Sequence, residues 1–583
     1  MCGIAGLMSL NCSRPSKEIL YNLASKLRHR GPDGFGSHLV RDTGIIHRRL
    51  AIIDLKTGNQ PLFGKNTRLV ANAEIYNYLE LSEMLKKEKF KTESDCECIL
   101  HLYNIYGLRF TKFLRGMYAL AIHDLDKDLL ILARDPFGIK PLYYLESSKY
   151  FSFSSEPKSL IDSGLAMPKV NKRKRDELLQ LQFTTGRETI FSGIKRVLPG
   201  ETLVISRGKI IKRRRTNPLT RRKQNNLSQD LVLKKLGRVM EDSVNIHQRS
   251  DVPFGMFFSG GIDSSVLLFL MSKIAKKSVR AYTIGFSGKS VHNETKHASY
   301  LARILGAKHT RINFTKNDFW TLLPKVTSFV DDPVADYAIV PTYKLAQVAR
   351  KDVKVILSGE GGDEIFAGYG RYRVPLGARL FGKRSFYSKG ILDGLNVLKN
   401  PSKDWRKTIM DNEKKFSLLY HSRLQVLQSV DCQDWLAHDL LTKLDRCLMS
   451  QSLEGRTPFL DTDVANLVFP IADKMKIRGR IGKWILRKWL ARNLPESKPF
   501  SRKRGFSVPV GEWIGEESDR LSTLVSQQPG IREICNQSDV IRLFNKSGKR
   551  QGFASWCLLF YALWHQIHIC GINPKKDVFA TLS

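Results

Sequence analysis

The chain has 583 residues, of which 42% are hydrophobic and 26% are charged. This balance is typical of a folded globular protein and excludes a fibrous, low-complexity or intrinsically disordered chain. The length predicts more than one hydrophobic core, because single cores stop growing at about 250 to 300 residues. Two large domains fit this length.

The apolar segments at the two ends of the chain indicate neither secretion nor a membrane span. Residues 1–8 carry no basic group ahead of their apolar stretch, which argues against a secretory signal. Residues 553–564 are far shorter than the roughly 20 residues a membrane span needs, so they predict a core helix. Nine scattered cysteines lack the density of a disulfide scaffold, and Cys96 and Cys98 do not have zinc-site spacing. We therefore expect a cytoplasmic protein without a structural metal.

The net charge of +39 raises the question of a nucleic-acid partner. Phosphate contacts dominate such binding, and they require a localised basic patch. No acidic residue occurs between Thr202 and Ser228. The basic residues of this stretch include Arg207, Lys209, Lys212, Arg213, Arg214, Arg215, Arg221, Arg222 and Lys223. We interpret residues 206–229 as a basic interdomain linker, expect no specific nucleic-acid partner, and expect the positive field to attract small anionic substrates.

The first part of the chain, residues 2–205, reads as a sheet-rich α+β domain. Short β-type runs bounded by turns occur at 44–54, 67–73, 117–124, 128–134 and 141–154. Helical spacing is confined to segments such as 17–29 and 95–105. This pattern predicts a domain built mainly from sheets.

The second part, residues 230–583, alternates strands with helices. Predicted strands at 252–258, 280–286 and 353–357 accompany predicted helices at 264–274 and 295–305. Such alternation implies parallel strands joined by crossover helices. Segments 481–492 and 555–567 predict a helical carboxyl-terminal part. We expect an α/β domain with a parallel sheet.

Cys2 is the first candidate for chemistry. Removal of Met1 makes it the chain terminus, and its own α-amino group can then act as the base that activates the thiol. A second-position cysteine also occurs by chance, and a buried structural thiol is the alternative. The residues around it in the sequence decide between these interpretations.

Several segments surround Cys2 with a recognisable set of motifs. They are residues 27–34, 49–54, 72–77, 94–97, 134–143 and 154–156. Together with Cys2 they resemble the class II glutamine amidotransferase domain over about residues 2–200. The resemblance implies an N-terminal-nucleophile fold with layers arranged αββα. We expect Arg49 at the start of a strand and Asn72 on a strand-to-helix turn.

The same resemblance implies roles for single residues. Arg49 would pair with the α-carboxylate of glutamine, since a guanidinium fork fits a carboxylate. Asp95 and Glu74 would receive the α-ammonium. The residues implied to complete the glutamine site are Leu50 and Ile53. The Asn72 amide and the Ala73 N–H would stabilise the oxyanion that forms when Cys2 attacks.

Two positions depart from this family's pattern. Ala73 stands where relatives carry glycine, and a positive φ there would cost an alanine about 1 kcal/mol. Arg115 stands where relatives usually carry aspartate, a difference with no evident catalytic meaning.

Two glycine-rich loops indicate phosphate binding in the second domain. Residues 259–265 follow a predicted strand and open a helix, where backbone N–H groups and the helix terminus favour an anion. They lack the lysine of a P-loop. Residues 357–369 form a second such loop after another strand. Asp263 and Asp363 are natural Mg²⁺ ligands beside a pyrophosphate.

These loops are similar to those of the asparagine synthetase domain, an adenine-nucleotide α-hydrolase-like fold that cleaves ATP to AMP and pyrophosphate. The motifs at 282–286, 444–446, 452–461 and 482–487 share the resemblance, which spans most of 230–570. It implies an ATP site made of Phe257, Ser259, Gly260, Gly261, Asp263, Ser264, Ile284, Ser358 and Gly359. Glu360 would assist formation of an acyl-adenylate, and Lys483 would neutralise phosphate charge.

The expected activity is therefore glutamine-dependent asparagine synthesis. A carboxylate attacks ATP to give an acyl-adenylate, and ammonia released at Cys2 displaces AMP through a closed passage. Aspartate is the expected acceptor, and a sugar acid of a cell-surface polysaccharide is the alternative. A non-catalytic basic interaction protein is the lower alternative. The resemblance is compatible with a homodimer.

Overall fold

The computed structural model describes residues 2–219, 224, 227–275, 277–286, 295–373, 386–501 and 508–583. Three residues of the expected basic stretch, Arg221, Arg222 and Lys223, lie outside this part of the chain. The described residues form an amino-terminal domain of two antiparallel sheets and a carboxyl-terminal domain around a parallel sheet.

Two six-stranded antiparallel sheets make up the amino-terminal domain. Its strands are β1 (Gly3–Ser9), β2 (Gly34–Val40), β3 (Thr43–Arg49), β4 (Leu62–Phe63), β5 (Thr67–Ile75), β6 (Gly116–Asp124), β7 (Leu129–Arg134), β8 (Tyr143–Glu146), β9 (Tyr150–Ser154), β10 (Ile194–Arg196), β11 (Glu201–Ser206) and β12 (Lys209–Arg215). One sheet has the order β10-β8-β9-β1-β3-β2, and the other has the order β12-β11-β7-β6-β5-β4. The helices are α1 (Lys17–Lys26), α2 (Tyr78–Met84), α3 (Glu97–Tyr106), α4 (Pro157–Asp162) and α5 (Lys172–Leu181).

Helices cover the outer faces of both sheets, which gives the αββα layering. Helix α1 starts at Ser16, whose hydroxyl accepts a hydrogen bond from the Glu18 N–H. Its apolar residues Leu20, Leu23 and Ala24 recur at helical spacing and pack on β1 and β3. Helix α3 covers the second sheet, and a separate apolar layer fills the space between the sheets. The predicted N-terminal-nucleophile fold is confirmed.

Three local predictions for this domain were wrong. Residues 141–154 form a hairpin of β8 and β9 rather than one run, because the chain turns between Glu146 and Tyr150. Arg49 ends β3 instead of starting a strand. Asn72 lies inside β5, opposite Ala119, and helix α2 begins only at Tyr78.

Part of the segment expected to be a linker belongs to the second sheet. Strand β12 pairs with β11 through most of its length, and its basic side chains are exposed at the sheet edge. A lysine- and arginine-rich edge strand discourages pairing with other chains, so this charge has a structural reason. The sheet therefore continues to Arg215, beyond the boundary predicted at residue 205.

The carboxyl-terminal domain has a five-stranded parallel sheet of order β15-β14-β13-β16-β17. Its strands are β13 (Phe254–Phe257), β14 (Arg280–Phe286), β15 (Lys308–Phe314), β16 (Val355–Leu357) and β17 (Glu454–Arg456). Its helices are α6 (Gln229–His247), α7 (Ile262–Ile274), α8 (Thr295–Ile304), α9 (Lys316–Phe329), α10 (Ile339–Ala349), α11 (Gly362–Ile365), α12 (Lys407–Ser417), α13 (Arg423–Gln433), α14 (Leu441–Met449), α15 (Thr462–Val468), α16 (Asp473–Lys476), α17 (Trp484–Asn493), α18 (Val510–Glu516), α19 (Ser518–Gln527), α20 (Pro529–Arg532), α21 (Gln537–Phe544), α22 (Lys549–His568) and α23 (Val578–Leu582).

The predicted parallel sheet is confirmed, but strands β15 and β17 escaped the sequence analysis. Strand β15 begins with four polar residues in succession, Lys308 to Arg311, and β17 consists of only three residues, two of them charged. Both glycine-rich loops follow strands at the carboxyl edge of the sheet, since β13 leads into one and β16 into the other. This edge is where open α/β sheets bind their ligands.

Helix α22 is the core of the helical part, as predicted for residues 553–564. Trp556 and Trp564 are almost fully buried, and their indole N–H groups donate to the carbonyl oxygens of Ala335 and Asp331. In the described residues, every helix is too short or too polar to reach from one side of a bilayer to the other.

Buried ion pairs join the two domains. Arg30 is fully buried and donates to Glu156 and, through two nitrogens, to Asp445 of α14 at 2.8 and 2.9 Å. Arg196 binds Asp332 with a nitrogen–oxygen distance of 2.6 Å. Each of these charges lies away from water, so its partner is required to offset desolvation. The interface therefore fixes the relative position of the domains.

We predict that Asp445→Asn lowers the free energy of unfolding by about 3 kcal/mol or more, because it leaves the buried Arg30 with one carboxylate. Denaturant unfolding measures this change. Glu188→Gln serves as the control, since the Glu188–Arg173 pair is exposed and is expected to contribute less than about 1 kcal/mol. Equal stability of the Asp445→Asn variant and the wild type would contradict this account of the interface.

Candidate functional site

Cys2 lies directly before β1, and its surroundings are those expected of a nucleophile. The Cys2 N–H donates to the Asn72 Oδ1 at 3.0 Å, and the Cys2 carbonyl accepts from the Arg30 Nε at 3.2 Å. The Cys2 Sγ lies 4.0 Å from the Leu50 carbonyl oxygen. The backbone of Cys2 is thus held on both sides while the thiol points toward the loop after β3.

The thiol depends on a base for activation. Burial raises the pKa of the Cys2 thiol, and the positive chain terminus acts in the opposite direction. A thiol with a raised pKa is mostly protonated at neutral pH and is a poor nucleophile. An α-amino group on Cys2 itself, produced by removal of Met1, places a base in reach.

Asn72 has an unused donor beside Cys2. Its Oδ1 is taken by the Cys2 N–H, whereas its buried Nδ2 has no hydrogen-bond partner among the described residues. A buried amide donor without a partner is costly unless a ligand satisfies it. Its position fits an oxyanion that forms as Cys2 attacks an amide.

Ala73 follows in the same strand, and its extended backbone explains why alanine is tolerated. It pairs opposite Tyr118 in the ladder of β5 and β6 and does not have a positive φ. The expected strain of an alanine in place of glycine is therefore absent at this position. The Ala73 N–H stays a candidate oxyanion donor.

Arg49 is buried at the end of β3 and is held by neutral oxygens. Its guanidinium donates to the Asn59 Oδ1 at 2.9 Å, the Ile53 carbonyl at 3.4 Å and the Asp54 carbonyl. It forms no ion pair with a carboxylate in the described part of the chain, so its charge is available to an anionic ligand. The structure thus brings Arg49 and Ile53 together, as predicted, and Asn59 was missed.

Two acidic residues approach the same site from β5 and from the start of α3. Asp95 accepts a hydrogen bond from the Ile75 N–H at 2.7 Å, and burial raises the pKa of its carboxyl to about 6. Glu74 forms an ion pair with Arg456 of β17 at 2.9 Å. Burial also raises the pKa of the Glu74 carboxyl. Glu74 is therefore already paired with a cation, whereas the Asp95 Oδ2 accepts only from the neutral Ile75 N–H.

Arg456 links the glutamine site to the second site and was not assigned a role from the sequence. Its side chain binds Glu74, and its carbonyl accepts the Ser358 N–H at 2.8 Å. Strand β17 that carries it lies next to β16, with Leu357 opposite Arg456. The motif at 452–461 indicated a functional segment, but the ion pair between Arg456 and Glu74 is evident only in the tertiary structure.

The first glycine-rich loop is shaped to approach a phosphate. Gly260 has a φ of +75°, and helix α7 begins directly after Gly261. The Ser259 hydroxyl accepts from the Gly261 N–H at 3.2 Å and contacts the Ser264 hydroxyl at 3.1 Å. Backbone and hydroxyl donors thus gather at a helix amino terminus, which attracts anions.

The second loop packs directly on the first. A Cβ at Gly362 would come within 2.6 Å of the Asp263 Oδ1, and one at Gly359 would lie 3.1 Å from the Asp263 Cβ. Gly361 has a φ of +89°. Only glycines allow this approach, so the two loops form one site at the carboxyl edge of the sheet.

Lys483 joins the two loops through their aspartates. Its ammonium binds Asp263 and lies 2.8 Å from the Asp363 Oδ1. Although burial opposes the charge, the two carboxylates raise the pKa of Lys483. A Cβ at Gly368 would collide with both Asp363 and Lys483, which shows how closely the chain surrounds them.

The other predicted residues of this site lie at the ends of neighbouring strands. Phe257 ends β13, Ile284 lies near the end of β14, and Ser358 follows β16. Glu360 follows in the second loop, where desolvation raises the pKa of its carboxyl and Lys443 acts in the opposite direction. The structure therefore brings the predicted ATP-site residues to one edge.

Arg115 has a structural explanation. Its Nε lies 2.9 Å from Asp461, its Nη2 lies 2.6 Å from Asp242, and its Nη1 lies 3.3 Å from Asp463. All three carboxylates belong to the carboxyl-terminal domain. The arginine that departs from the family pattern thus contributes to the domain interface.

Comparison with known proteins agrees with both halves of this description. Residues 1–216 match the family model for the glutamine amidotransferase domain, and residues 235–566 match that for asparagine synthase. Glutamine-hydrolysing asparagine synthetase 1 of Bacillus subtilis is 31% identical over 99% of this chain and 100% of its own length. Glutamine-hydrolysing asparagine synthetase 2 of Oryza sativa is 30% identical over 90% of this chain and 80% of its own.

The two family models cover the nucleophile domain and the ATP-type loops, and the Bacillus subtilis relative aligns over 99% of the chain. Family membership therefore rests on the whole chain rather than on one motif. The chain belongs to the glutamine-hydrolysing asparagine synthetase family.

Proposed function

We propose that the protein transfers the amide nitrogen of glutamine to the side-chain carboxylate of aspartate, with cleavage of ATP to AMP and pyrophosphate. The observation that carries this proposal is Arg456, which binds Glu74 at the glutamine site and Ser358 at the ATP site. A glutaminase alone has no need for this connection. The family uses ATP as a substrate, which agrees with the second site.

The proposed first reaction is the hydrolysis of glutamine. The α-amino group of Cys2 removes the thiol proton, and the thiolate attacks the side-chain amide. The Asn72 Nδ2 and the Ala73 N–H bind the oxyanion, and ammonia leaves. Water then hydrolyses the thioester and releases glutamate. Arg49 holds the α-carboxylate of the substrate, and Asp95 receives its α-ammonium.

The proposed second reaction is the activation of the acceptor. An aspartate carboxylate attacks the α-phosphorus of ATP, which forms an acyl-adenylate and releases pyrophosphate. The loops around Gly260 and Gly359 bind the nucleotide, and Lys483 neutralises charge on the phosphates. Glu360 assists formation of the acyl-adenylate, and ammonia then attacks the acyl carbon and displaces AMP.

The residues at the second site fit a magnesium ion that is bound together with a nucleotide. Mg²⁺ is usually held by one or two carboxylates plus phosphate oxygens, and Asp263 and Asp363 converge on one point, the Lys483 ammonium. When bound beside the carboxylates of Asp263 and Asp363, the ion would neutralise the charge of the pyrophosphate. Among the described residues no group of three or more metal-binding side chains occurs, so the phosphates are needed to complete the ligand set.

Transfer of ammonia between the sites requires a passage that excludes water, because ammonium is not a nucleophile. The interface residues that separate the sites are buried: Arg30, Lys140, Glu454 and Arg456. Burial lowers the pKa of Lys140 to about 8, and its Nζ donates to the Gly455 carbonyl at 3.3 Å. This dry interface supports direct transfer.

A cytoplasmic location and a homodimer belong to the same proposal. Nine cysteines without a disulfide suit a reducing compartment.

The direct test supplies glutamine, ATP and Mg²⁺ with either aspartate or a uronic acid and follows AMP and the amide product by mass spectrometry. We expect aspartate to stimulate AMP release and to yield asparagine. Failure of both acceptors to stimulate AMP release would eliminate the ligase activity.

We predict that Cys2→Ala abolishes glutamine-dependent synthesis but preserves synthesis with ammonium salts, since the acceptor site is separate. The control is Cys12→Ala, which changes an exposed cysteine and is expected to leave both activities intact. Loss of ammonia-dependent synthesis in a folded Cys2→Ala protein would contradict the two-site scheme.

We predict that Asn72→Ala lowers the kcat for glutamine hydrolysis about 100- to 1000-fold, because an oxyanion donor is removed. Glutamate release measures this rate. Asn66→Ala, at an asparagine that binds exposed Asp126, is the matched control and is expected to act as the wild type. A decrease below about tenfold would exclude Asn72 as an oxyanion donor.

We predict that Asp363→Asn lowers ATP cleavage at least about 100-fold while glutamine hydrolysis continues, since a metal ligand and a partner of Lys483 are lost. The two rates are measured separately as pyrophosphate and glutamate. Asp473→Asn, at a carboxylate that binds Ser422, is the control. Normal ATP cleavage by Asp363→Asn would remove this residue from the site.

A further inference from the structure

A buried carboxyl group beside Glu360 has no role in the reactions described so far. Asp439 is 1% exposed, and neither of its carboxyl oxygens has a hydrogen-bond partner in the described part of the chain. Buried polar groups are nearly always hydrogen-bonded, and an unpaired carboxyl is among the costliest exceptions. The position of Asp439 therefore requires an explanation.

The backbone around Asp439 is unusual as well. Residues Leu436–Leu440 form a π-helical turn that continues into α14. Single π-helical turns are rare in proteins, and those that do occur are often found at functional sites. Lys443 follows Asp439 by four residues, and its Nζ lies 2.6 Å from the Asp336 Oδ2. The turn thus lies next to a pair of opposite charges, Lys443 on the helix that follows it and Asp336 from another segment.

These charges lie close to the adenylation site. Lys443 and Asp336 are the two charged groups that most affect the Glu360 carboxyl. Burial raises the pKa of Asp439, and Asp336 adds to this effect. Three carboxyl groups therefore surround one ammonium group. The nearby Arg371 is bound to Asp431 at 2.9 Å, so its charge is already balanced.

A cavity of about 510 Å³ adjoins this group through Tyr337, the residue after Asp336. Tyr337 lines the cavity and is close enough to Asp336, Lys443 and Asp439 for their charges to affect its pKa. The cavity is also lined by the cationic residues Lys389, Lys549 and Arg550. A cationic entrance attracts carboxylates, while the interior beyond Tyr337 has an excess of acidic groups.

We propose that Asp439, together with Asp336, binds the ammonium group of the acceptor aspartate and thereby selects an acceptor that carries a cation. This inference rests on the proposed function, because it concerns the acceptor of that same reaction. An ammonium group supplies the missing positive charge and the missing hydrogen bonds of Asp439. A uronic acid has no cation and would leave the buried carboxyl unpaired.

The first test compares acceptors with the wild-type enzyme, using ammonium salts as nitrogen source so that the glutamine site is not involved. AMP release is measured with aspartate, with succinate, which lacks only the ammonium group, and with glucuronate. We expect kcat/KM for succinate and glucuronate to be at least about 100-fold below that for aspartate, since a site with a buried polar group rejects a ligand that cannot pair with it. Equal use of succinate or preference for glucuronate would overturn the inference and leave the ligase activity standing.

The second test uses Asp439→Asn. We expect the KM for aspartate to rise and the preference for aspartate over succinate to fall at least about tenfold, because the carboxylate that pairs with the ammonium group is removed. An equal loss with both acceptors would show a structural role and overturn the inference. His438→Gln is the control, because His438 lies in the same turn but is influenced by Arg196 and Arg134 on another side.

The two tests keep different failures apart. If no acceptor supports AMP release by the wild type, the proposed function fails and this inference fails with it. If Asp439→Asn does not fold, Asp336→Asn with the same pair of acceptors provides the measurement. Retention of the full preference for aspartate in Asp336→Asn would then overturn the shared ammonium site.

Discussion

The side chain of Arg456 is the contact on which the arrangement of both sites depends. It is fully buried between the domains, where it pairs with Glu74 and Glu454 and donates to the carbonyl oxygens of His247 and Arg249. Its Nε and Nη1 donate to Glu454 and to the two carbonyl oxygens, and its Nη2 lies 2.9 Å from the Glu74 Oε2 as an ion pair. Because its carbonyl also binds the loop after β16, a shift of one site would disturb the other.

The rest of the interface follows the same principle. Arg30, Arg196 and Arg446 are buried with acidic partners, and each connects segments that are distant in sequence. Buried ion pairs contribute less stability than apolar contacts of similar size, but breaking one of them is costly. They therefore specify a single geometry for the interface. A fixed geometry is what a closed path for ammonia requires.

The large positive charge has several local explanations in the structure. Strand β12 exposes its basic side chains at a sheet edge, and Arg115 binds three carboxylates of the other domain. Lys389, Lys549 and Arg550 line a cavity beside the acidic group at Asp439. The charge is thus distributed over a sheet edge, the domain interface and the lining of a cavity.

The sequence by itself determined the two-part organisation, about half of the strands and both glycine-rich loops, because local periodicity and glycine spacing record them directly. It also predicted roles for Cys2, Asn72, Asp263 and Lys483 through motifs that resemble those of the family. Only the tertiary structure decided what lies between the sites, since β17 is too short to be recognised and the partners of Arg456 are separated from it by up to hundreds of residues. The unpaired state of Asp439 is likewise a property of its surroundings, which no local pattern encodes.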